Sequence, residues 1–208
     1  MRQVNFLNTT TLYSKNTVNI NDPTAVISFT NIFNYYLKTF CTNRHSDIIL
    51  LCIGTDRSTG DSLGPLTGYK IKKIIKNFDN VHVFGTLDKP VHAKNLKDTI
   101  DLIYNSFPNP FIIAIDACLG KIDRVGYITV SEGPLKPGAG VKKTLPAIGD
   151  INITGTVNLG GFMEYIVLQN TRLSLVMNMA ETIASSIYFG LLTFQREKEK
   201  SSKKSSLI

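Results

Sequence analysis

The sequence predicts a single α/β domain in which helices cover both faces of a central, largely parallel sheet. Two short runs, 48–53 (IILLCI) and 111–115 (FIIAI), are apolar at consecutive positions, as in strands that are buried on both faces. Segments with apolar residues at helical spacing alternate with these runs and with other strand-like segments. Such alternation is typical of strand–helix–strand units, so the sequence indicates a layered α/β fold.

Each further element follows from a local pattern. Apolar residues recur at three- and four-residue steps from Ala25 to Phe40, which predicts an amphipathic helix that ends near Asn43. Pro65 is compatible with a helix over 62–77 because it lies in the first turn. The same patterns predict strands over 81–87, 126–131 and 151–157, and helices over 93–106, 161–169 and 178–195, with 173–177 as a last strand or the start of the final helix.

The ends of the chain differ in composition from the middle. Residues 1–22 are rich in Asn and Thr without a sustained period, which predicts a weakly ordered leader. Residues 196–208 are charged and rich in Ser and Lys, which predicts a disordered tail. The single domain is therefore expected over 23–195. Within it, the Gly- and Pro-rich loop 132–150 is long for a compact domain, a property more typical of a functional loop than of an idle one.

Composition narrows the class of protein. An apolar fraction of 43% supports a packed core. No apolar run approaches the roughly 18 residues that span a bilayer, and the first residues lack the apolar region of a secretory signal. Cys41, Cys52 and Cys118 lack metal-site spacing and are expected as free thiols in a reducing compartment. These features predict a cytoplasmic protein without membrane association, and they leave homo-oligomerisation open.

The net charge of +7 does not predict nucleic-acid binding. Five positive and two negative residues in 196–204 contribute +3 of it, and the lysines of 70–76 lie on one helix, where a solvated face is the common interpretation. Aromatic residues are not interleaved with the basic ones, so no stacking platform for single strands is indicated. Nucleic-acid binding is accordingly the weakest functional hypothesis.

Two aspartates follow the two all-apolar strands. Asp61 stands after the loop 54–60, just before a helical pattern, and Asp116 ends the run 111–115. Ligands of parallel sheets bind outside the carboxyl ends of the strands, so neighbouring strands would bring both acids into one crevice. Each acid also has a structural interpretation, Asp61 as the N-cap of its helix and Asp116 as the cap of a turn.

A pair of carboxylates in a dehydrated cleft can divide the work of amide hydrolysis. Because like charges repel, one carboxyl retains its proton near neutral pH. The ionised partner then activates water, and the protonated one donates to the developing oxyanion or the leaving amine. The helix dipole favours the anion at Asp61, which predicts Asp61 as the general base and the more acidic member.

The same edge of the sheet supplies candidate substrate-binding residues. The expected cleft walls are the loop 55–60, residues 92–95 and the loop 137–150; the residues chosen are Thr55, Asp56, Arg57, Ser58, His92, Lys94 and Asn95. The loop 54–60 matches neither the phosphate-binding P-loop nor the dinucleotide-binding pattern. His92 could complete a metal site or orient an acid, or it could begin its helix and contact only water. The sequence predicts neither a metal nor another cofactor.

Several segments resemble the YyaC-type sporulation proteins of endospore-forming bacteria. The resemblance is carried by IGTDRSTGDSLGPLTG, GTLDKPVHAKNL, AIDACLG, KPGAGVKKTLPAIGD and ITGTVNLGGFMEYIVLQNTRL, in that order over residues 48–184. That family is similar to the germination protease of spores and, more distantly, to the hydrogenase maturation endopeptidases. The resemblance implies a three-layer α/β/α fold with a mixed, mostly parallel sheet, and it implies a sporulation-associated peptidase.

The resemblance also implies roles for individual residues. The germination protease has a catalytic Asp before Leu-Gly-Pro, which matches Asp61 followed by residues 63–65, and a second catalytic Asp before Ala, which matches Asp116. In the hydrogenase endopeptidases a later histidine completes a nickel-recognising site, but this chain has no histidine after His92. The expected activity is therefore metal-independent cleavage of a protein or peptide, such as a spore protein, by an aspartate dyad. A non-catalytic sporulation binding protein and a metal-dependent maturation endopeptidase are the alternatives.

Overall fold

The computed structural model describes residues 16–138 and 145–205, the last five of them by backbone alone. The described strands form one six-stranded mixed sheet in the order β1-β5-β6-β4-β2-β3. In chain order the elements are β1 (Thr17–Asn19), α1 (Ala25–Phe40), β2 (Ile48–Cys52), α2 (Leu63–Ile74), β3 (Val81–Phe84), α3 (Leu96–Ser106), β4 (Phe111–Gly120), β5 (Tyr127–Glu132), β6 (Ile151–Leu159), α4 (Glu164–Gln169) and α5 (Leu173–Ser205).

The sheet is parallel at its centre and antiparallel at one edge. β2 lies between β3 and β4 and runs parallel to both, and β4 in turn runs parallel to β6. β5 runs antiparallel to β6, and β1 antiparallel to β5. The predicted α/β class with a mixed, mostly parallel sheet is confirmed.

Alternation along the central strands divides the core into two layers. Leu50 and Ile113 point to the face covered by α1, α2 and α5, whereas Ile49 and Ile112 point to the face covered by α3. All four side chains are essentially inaccessible to solvent. Because both faces of β2 and β4 are covered, these strands require apolar residues at consecutive positions, which is the pattern in the sequence.

The helices that follow β2 and β3 lie on opposite faces of the sheet. α2 connects β2 to its neighbour β3 and packs with the first layer, whereas α3 connects β3 to β4, on the other side of β2, and packs with the second. After β2 the chain moves to β3 on one side, whereas after β4 it moves to β5 and β6 on the other side. It therefore leaves β2 and β4 in opposite directions. This reversal of strand order is a topological switch point, where the carboxyl ends of parallel strands open a crevice.

The final helix is long and mostly part of the core. By length and composition, residues 173–200 of α5 could cross a membrane, but 56% of the most apolar window is buried within the fold. The buried face includes Val176, Ile183 and Ile187, which pack against α1 and α2. This apolar stretch is therefore accounted for as the core helix of an α/β layer.

The structure corrects the predicted ends of the domain. Residues 17–19, assigned to the weakly ordered leader, form β1 against β5. Residues 196–205, assigned to the disordered tail, continue α5, and Lys38 of α1 pairs with Glu197 at 2.7 Å. The helix begins at Leu173, so 173–177 is not a strand. Residues 1–15 of the predicted leader and 206–208 of the predicted tail lie outside the described residues.

The long loop after β5 crosses the α3 face of the sheet. Leu135 and Ile148 exchange backbone hydrogen bonds of 2.9 and 3.0 Å, and Ile148 is buried in the second core layer. Asp150 accepts a hydrogen bond from the Ile112 N–H at 2.7 Å and so fixes the end of the loop to β4. Part of the predicted cleft wall over 137–150, namely 139–144, lies outside the described residues.

Candidate active site

Asp61 is positioned by a tight loop that closes on β2. The backbone of Gly54 adopts a φ of +140°, and a Cβ there would collide with the Asp61 carbonyl oxygen, so glycine is required. The Thr55 N–H donates to that carbonyl at 3.1 Å. Asp61 lies inside a 3₁₀ turn, Gly60–Ser62, and the N-cap of α2 is Ser62, without a side-chain capping bond. The interpretation of Asp61 as an N-cap is therefore wrong.

Asp116 lies on β4 immediately beyond the point where β2 ends. The Ile53 N–H donates to the Ile115 carbonyl at 2.7 Å, after which β2 turns away at Gly54 and leaves one side of β4 open. β4 continues to Gly120 along β6, so the prediction that the strand ends at Asp116 is wrong. Asp116 is 7% exposed, and its Oδ1 accepts a hydrogen bond from the Ala117 N–H at 2.8 Å.

The two acids line one cavity of about 340 Å³ at the carboxyl ends of β2 and β4. Its position is the switch point between these neighbouring strands, as expected for a ligand site in this class of sheet. The other residues that line it are Ile53, Gly54, Thr55, Arg57, Ser58, His92, Ala93, Lys94, Ala117, Cys118, Leu119, Pro137, Gly138, Leu145, Glu164, Tyr165 and Leu168. A few charged groups converge on a largely apolar wall, the usual composition of a ligand site.

Burial and mutual repulsion separate the proton affinities of the two carboxyls. The pKa of Asp116 is raised well above its usual range by burial and then by the charge of Asp61, and the Ala117 N–H opposes the shift. Burial also raises the pKa of Asp61, but the Thr55 N–H and the positive charge of His92 lower it. Asp61 is thus the carboxyl that ionises more readily. Its pKa is nevertheless raised, because the effect of burial exceeds the lowering expected from the helix dipole.

Most of the predicted cleft residues do face the cavity, and two do not. Thr55, Arg57, Ser58, His92 and Lys94 line it. Asp56 is solvent-exposed outside it and accepts a 3.5 Å hydrogen bond from the Thr55 hydroxyl.

Asn95 has a local structural function. Its Oδ1 accepts from the His92 N–H at 2.8 Å and its Nδ2 donates to the Pro90 carbonyl at 3.0 Å, so it folds the turn that presents His92. The assignments of Asp56 and Asn95 to the cleft wall are wrong.

Two polar side chains at the cavity lack partners within the described part of the chain. The Ser58 hydroxyl is completely buried and makes no hydrogen bond there. Arg57 is exposed at the cavity and takes part in none of the ion pairs between described residues. Because buried hydroxyls are usually paired, Ser58 is suited to bond a bound ligand.

Sequence reasoning missed the wall formed by the far end of β4 and by α4. Cys118 and Leu119 reach the cavity because β4 is longer than predicted, and Glu164, Tyr165 and Leu168 project from α4. The sequence did indicate that α4 could line the site. This helix follows the carboxyl end of β6, just as the turn with Asp61 follows β2, and ligands bind at that edge of the sheet. Burial raises the pKa of Cys118, whose sulfur lies 3.5 Å from the Thr156 hydroxyl. That thiol therefore stays protonated near neutral pH and is a poor nucleophile.

The donor set at the cavity does not form a metal site. His92, Asp61 and Asp116 line the same space. Even so, no three His, Cys, Asp or Glu residues in the described ranges are arranged so that they could hold a metal ion. Zinc and related ions in proteins are bound by three or four such ligands.

The fold and site define a three-layer α/β protein with an acidic cavity at its switch point. The structure is similar to that of HycI, a nickel–iron hydrogenase maturation protease from Thermococcus kodakarensis KOD1, with a TM-score of 0.53. The similarity covers 77% of this chain and 98% of HycI at 16% identity, so it concerns the fold alone.

The chain belongs to the DUF1256 family, described as proteins of unknown function, whose model matches residues 17–186. It is also 59% identical to the protein YyaC of Bacillus subtilis (strain 168) over 140 residues, which are 67% of each chain. The predicted resemblance to the YyaC-type proteins is confirmed.

Proposed function

We propose that this protein is a metal-independent peptidase that cleaves a peptide bond of a protein substrate with Asp61 and Asp116. The observation that carries the proposal is the shared cavity, in which the carboxyls of Asp61, in the turn after β2, and Asp116, on β4, have pKa values raised to different extents. A carboxylate and a carboxylic acid side by side provide a base and an acid for one reaction. The peptidase-like fold and the resemblance to the germination protease support the same activity.

In the proposed reaction Asp61 is the base and Asp116 the acid. Ionised Asp61 accepts a proton from water as the water oxygen bonds to the substrate carbonyl carbon, and protonated Asp116 donates its proton to the carbonyl oxygen. The gem-diol then collapses as the C–N bond breaks, Asp61 gives its proton to the amine, and Asp116 takes one back from a hydroxyl. Both carboxyls return to their starting states, and the products are an acid and an amine.

We place this activity in the cytoplasm of the sporulating cell or forespore. The resemblance to the YyaC-type sporulation proteins supports the setting. Cys41, Cys52 and Cys118 are free thiols, which suits a reducing compartment. A spore protein is accordingly the first substrate to test.

The test is cleavage of purified spore proteins by the wild type and by Asp61→Asn and Asp116→Asn. Each variant should lower the rate about a hundredfold or more, because it removes the base or the acid. Asp123→Asn, an exposed change in the turn after β4, is the matched control and should leave the rate unchanged. Cleavage that survives either dyad variant would disprove the proposal.

Two further results would select the alternative functions. Tight binding of a spore protein without cleavage by the wild type would indicate a non-catalytic binding protein. Cleavage that chelation abolishes and that nickel or zinc restores would indicate a metal-dependent maturation peptidase. Under the present proposal, chelation leaves the rate unchanged.

A further inference from the structure

An exposed apolar surface lies beside the cavity. Of the fifteen large apolar side chains that are exposed in the described ranges, six belong to α4 and its flanks. We call them the apolar rim: Leu159 (48% exposed), Phe162 (86%), Met163 (59%), Tyr165 (63%), Ile166 (46%) and Leu173 (57%). Single exposed apolar residues are normal, but a cluster of them marks an interaction surface.

The apolar rim does not contribute to the core. α4 contains no fully buried residue. The helix is attached on its inner side, where Leu168 packs against Gly60 and the Asn158 amide donates to the Val167 carbonyl at 3.3 Å and to the Thr171 hydroxyl at 3.2 Å. The helix is therefore attached through its inner side, and the apolar side chains of the rim remain largely exposed.

The apolar rim is continuous with the cavity. Tyr165 belongs to both, since it lines the cavity and is 63% exposed, and its neighbours Glu164 and Leu168 also line the cavity. At about 340 Å³ the cavity is at the small end of sites for drug-sized ligands, so it accommodates only a short stretch of peptide. When one peptide bond of a polypeptide lies at Asp116, the residues that flank this bond extend out of the cavity. α4 forms one edge of the cavity.

We propose that the apolar rim binds an apolar segment of the protein substrate that flanks the bond to be cleaved. The inference rests on the proposed peptidase function and specifies its substrate class, a polypeptide with large apolar side chains near the scissile bond. Phe162 and Ile166 contact that segment outside the cavity, and Tyr165 contacts it at the edge.

The test measures binding without turnover, in an Asp61→Asn background. The probes are two fluorescein-labelled twelve-residue peptides of equal charge, one with Leu and Phe at its four central positions and the other with Ser and Asn there. Fluorescence anisotropy should show that the apolar peptide binds more tightly. Phe162→Ser and Ile166→Ser should each weaken its binding about tenfold, the change expected when one large buried apolar contact is lost.

The control is Ile27→Ser on α1, which changes a side chain of similar exposure (66%) on a helix that packs against α5 rather than at the cavity. It should bind the apolar peptide as the parent does, and thermal melts should show that all variants fold. Equal binding of both peptides, or unchanged binding by both rim variants, would overturn the inference. The inference would also be overturned if sedimentation showed a dimer that Phe162→Ser dissociates and that the peptide leaves intact. If the rim variants lose peptide binding but the wild type cleaves neither that peptide nor a spore protein, the peptidase proposal fails, while the rim remains a binding surface for apolar polypeptides.

Discussion

Asp61 raises the pKa of Asp116 across the crevice that β2 and β4 leave between their carboxyl ends. The interaction has consequences for stability and for activity, because Asp116 is 7% exposed and its ionised form is solvated by few protein groups. Among the residues that the structure describes, the Ala117 N–H is the one group that favours the charged form.

Stability should fall with rising pH through Asp116. Its folded-state pKa lies above the unfolded value of about 3.8, so the native state binds the extra proton in the window between the two values. The stabilising contribution of Asp116 is therefore fully present below the unfolded value and is lost as the pH rises through the folded value. Urea denaturation of the wild type and of Asp116→Asn over pH 4 to 8 measures the effect. The variant, which cannot ionise, should become the more stable of the two as the pH rises; a constant difference would contradict the prediction.

Activity should depend on the charge of His92. The imidazolium lowers the pKa of Asp61, so His92→Asn should raise that pKa and leave less ionised base at a given pH. In a plot of kcat/KM against pH, the acid limb should move to higher pH. The value of kcat/KM at the optimum should change less. His45→Asn is the control, since that ring packs on Phe111 at the opposite end of β4. An unchanged pH profile in His92→Asn would show that the charge of His92 does not affect the pKa of Asp61.

The loop and strand that carry these acids could be predicted from the sequence, for a physical reason. Strands buried on both faces must be apolar at every position, so the runs 48–53 and 111–115 identify β2 and β4 without further information. The acids were expected to share a crevice only if these two strands were neighbours, and the parallel pairing of β2 with β4 meets that condition. The course of β4 beyond Asp116 did not follow, because its last residues are less apolar and are held by β6 rather than by β2.

The missed elements depend on distant contacts. The extension of α5 beyond residue 195 includes the pairing of Glu197 with Lys38 of α1, a contact that a charged, Ser-rich stretch does not indicate on its own. The α4 wall of the cavity depends on Leu168 packing against Gly60. Local periodicity predicted that helix but not which of its residues would face the acids.

Ser58 should affect substrate binding and stability in opposite directions. Its buried hydroxyl has no partner in the described part of the chain, so Ser58→Ala should raise the free energy of unfolding by about 1 kcal/mol. If the hydroxyl bonds the substrate, KM should rise while kcat changes little. Ser62→Ala is the matched control, since the Ser62 hydroxyl donates to the Thr59 carbonyl at 2.6 Å and its loss should destabilise the fold. Destabilisation by Ser58→Ala would show that the hydroxyl is satisfied in the native state.

Gly64 should be required for the close approach of α2 to the end of β2. In an ordinary helix Gly→Ala stabilises by about 0.5–1 kcal/mol, because alanine loses less conformational entropy on folding. A Cβ at Gly64 would collide with the Ile53 carbonyl oxygen, and backbone is not free to move aside as a flexible side chain is.

Gly64→Ala should therefore lower the free energy of unfolding by about 1–3 kcal/mol, the usual effect of overpacking. It should also reduce cleavage at temperatures where the variant is folded, because the 3₁₀ turn that holds Asp61 leads directly into α2, which begins two residues after Asp61. Lys72→Ala, on the exposed side of the same helix, should change the unfolding free energy by less than about 0.5 kcal/mol. Chemical denaturation and single-turnover cleavage measure the two effects, and a Gly64→Ala protein as stable and active as Lys72→Ala would refute the proposed contact.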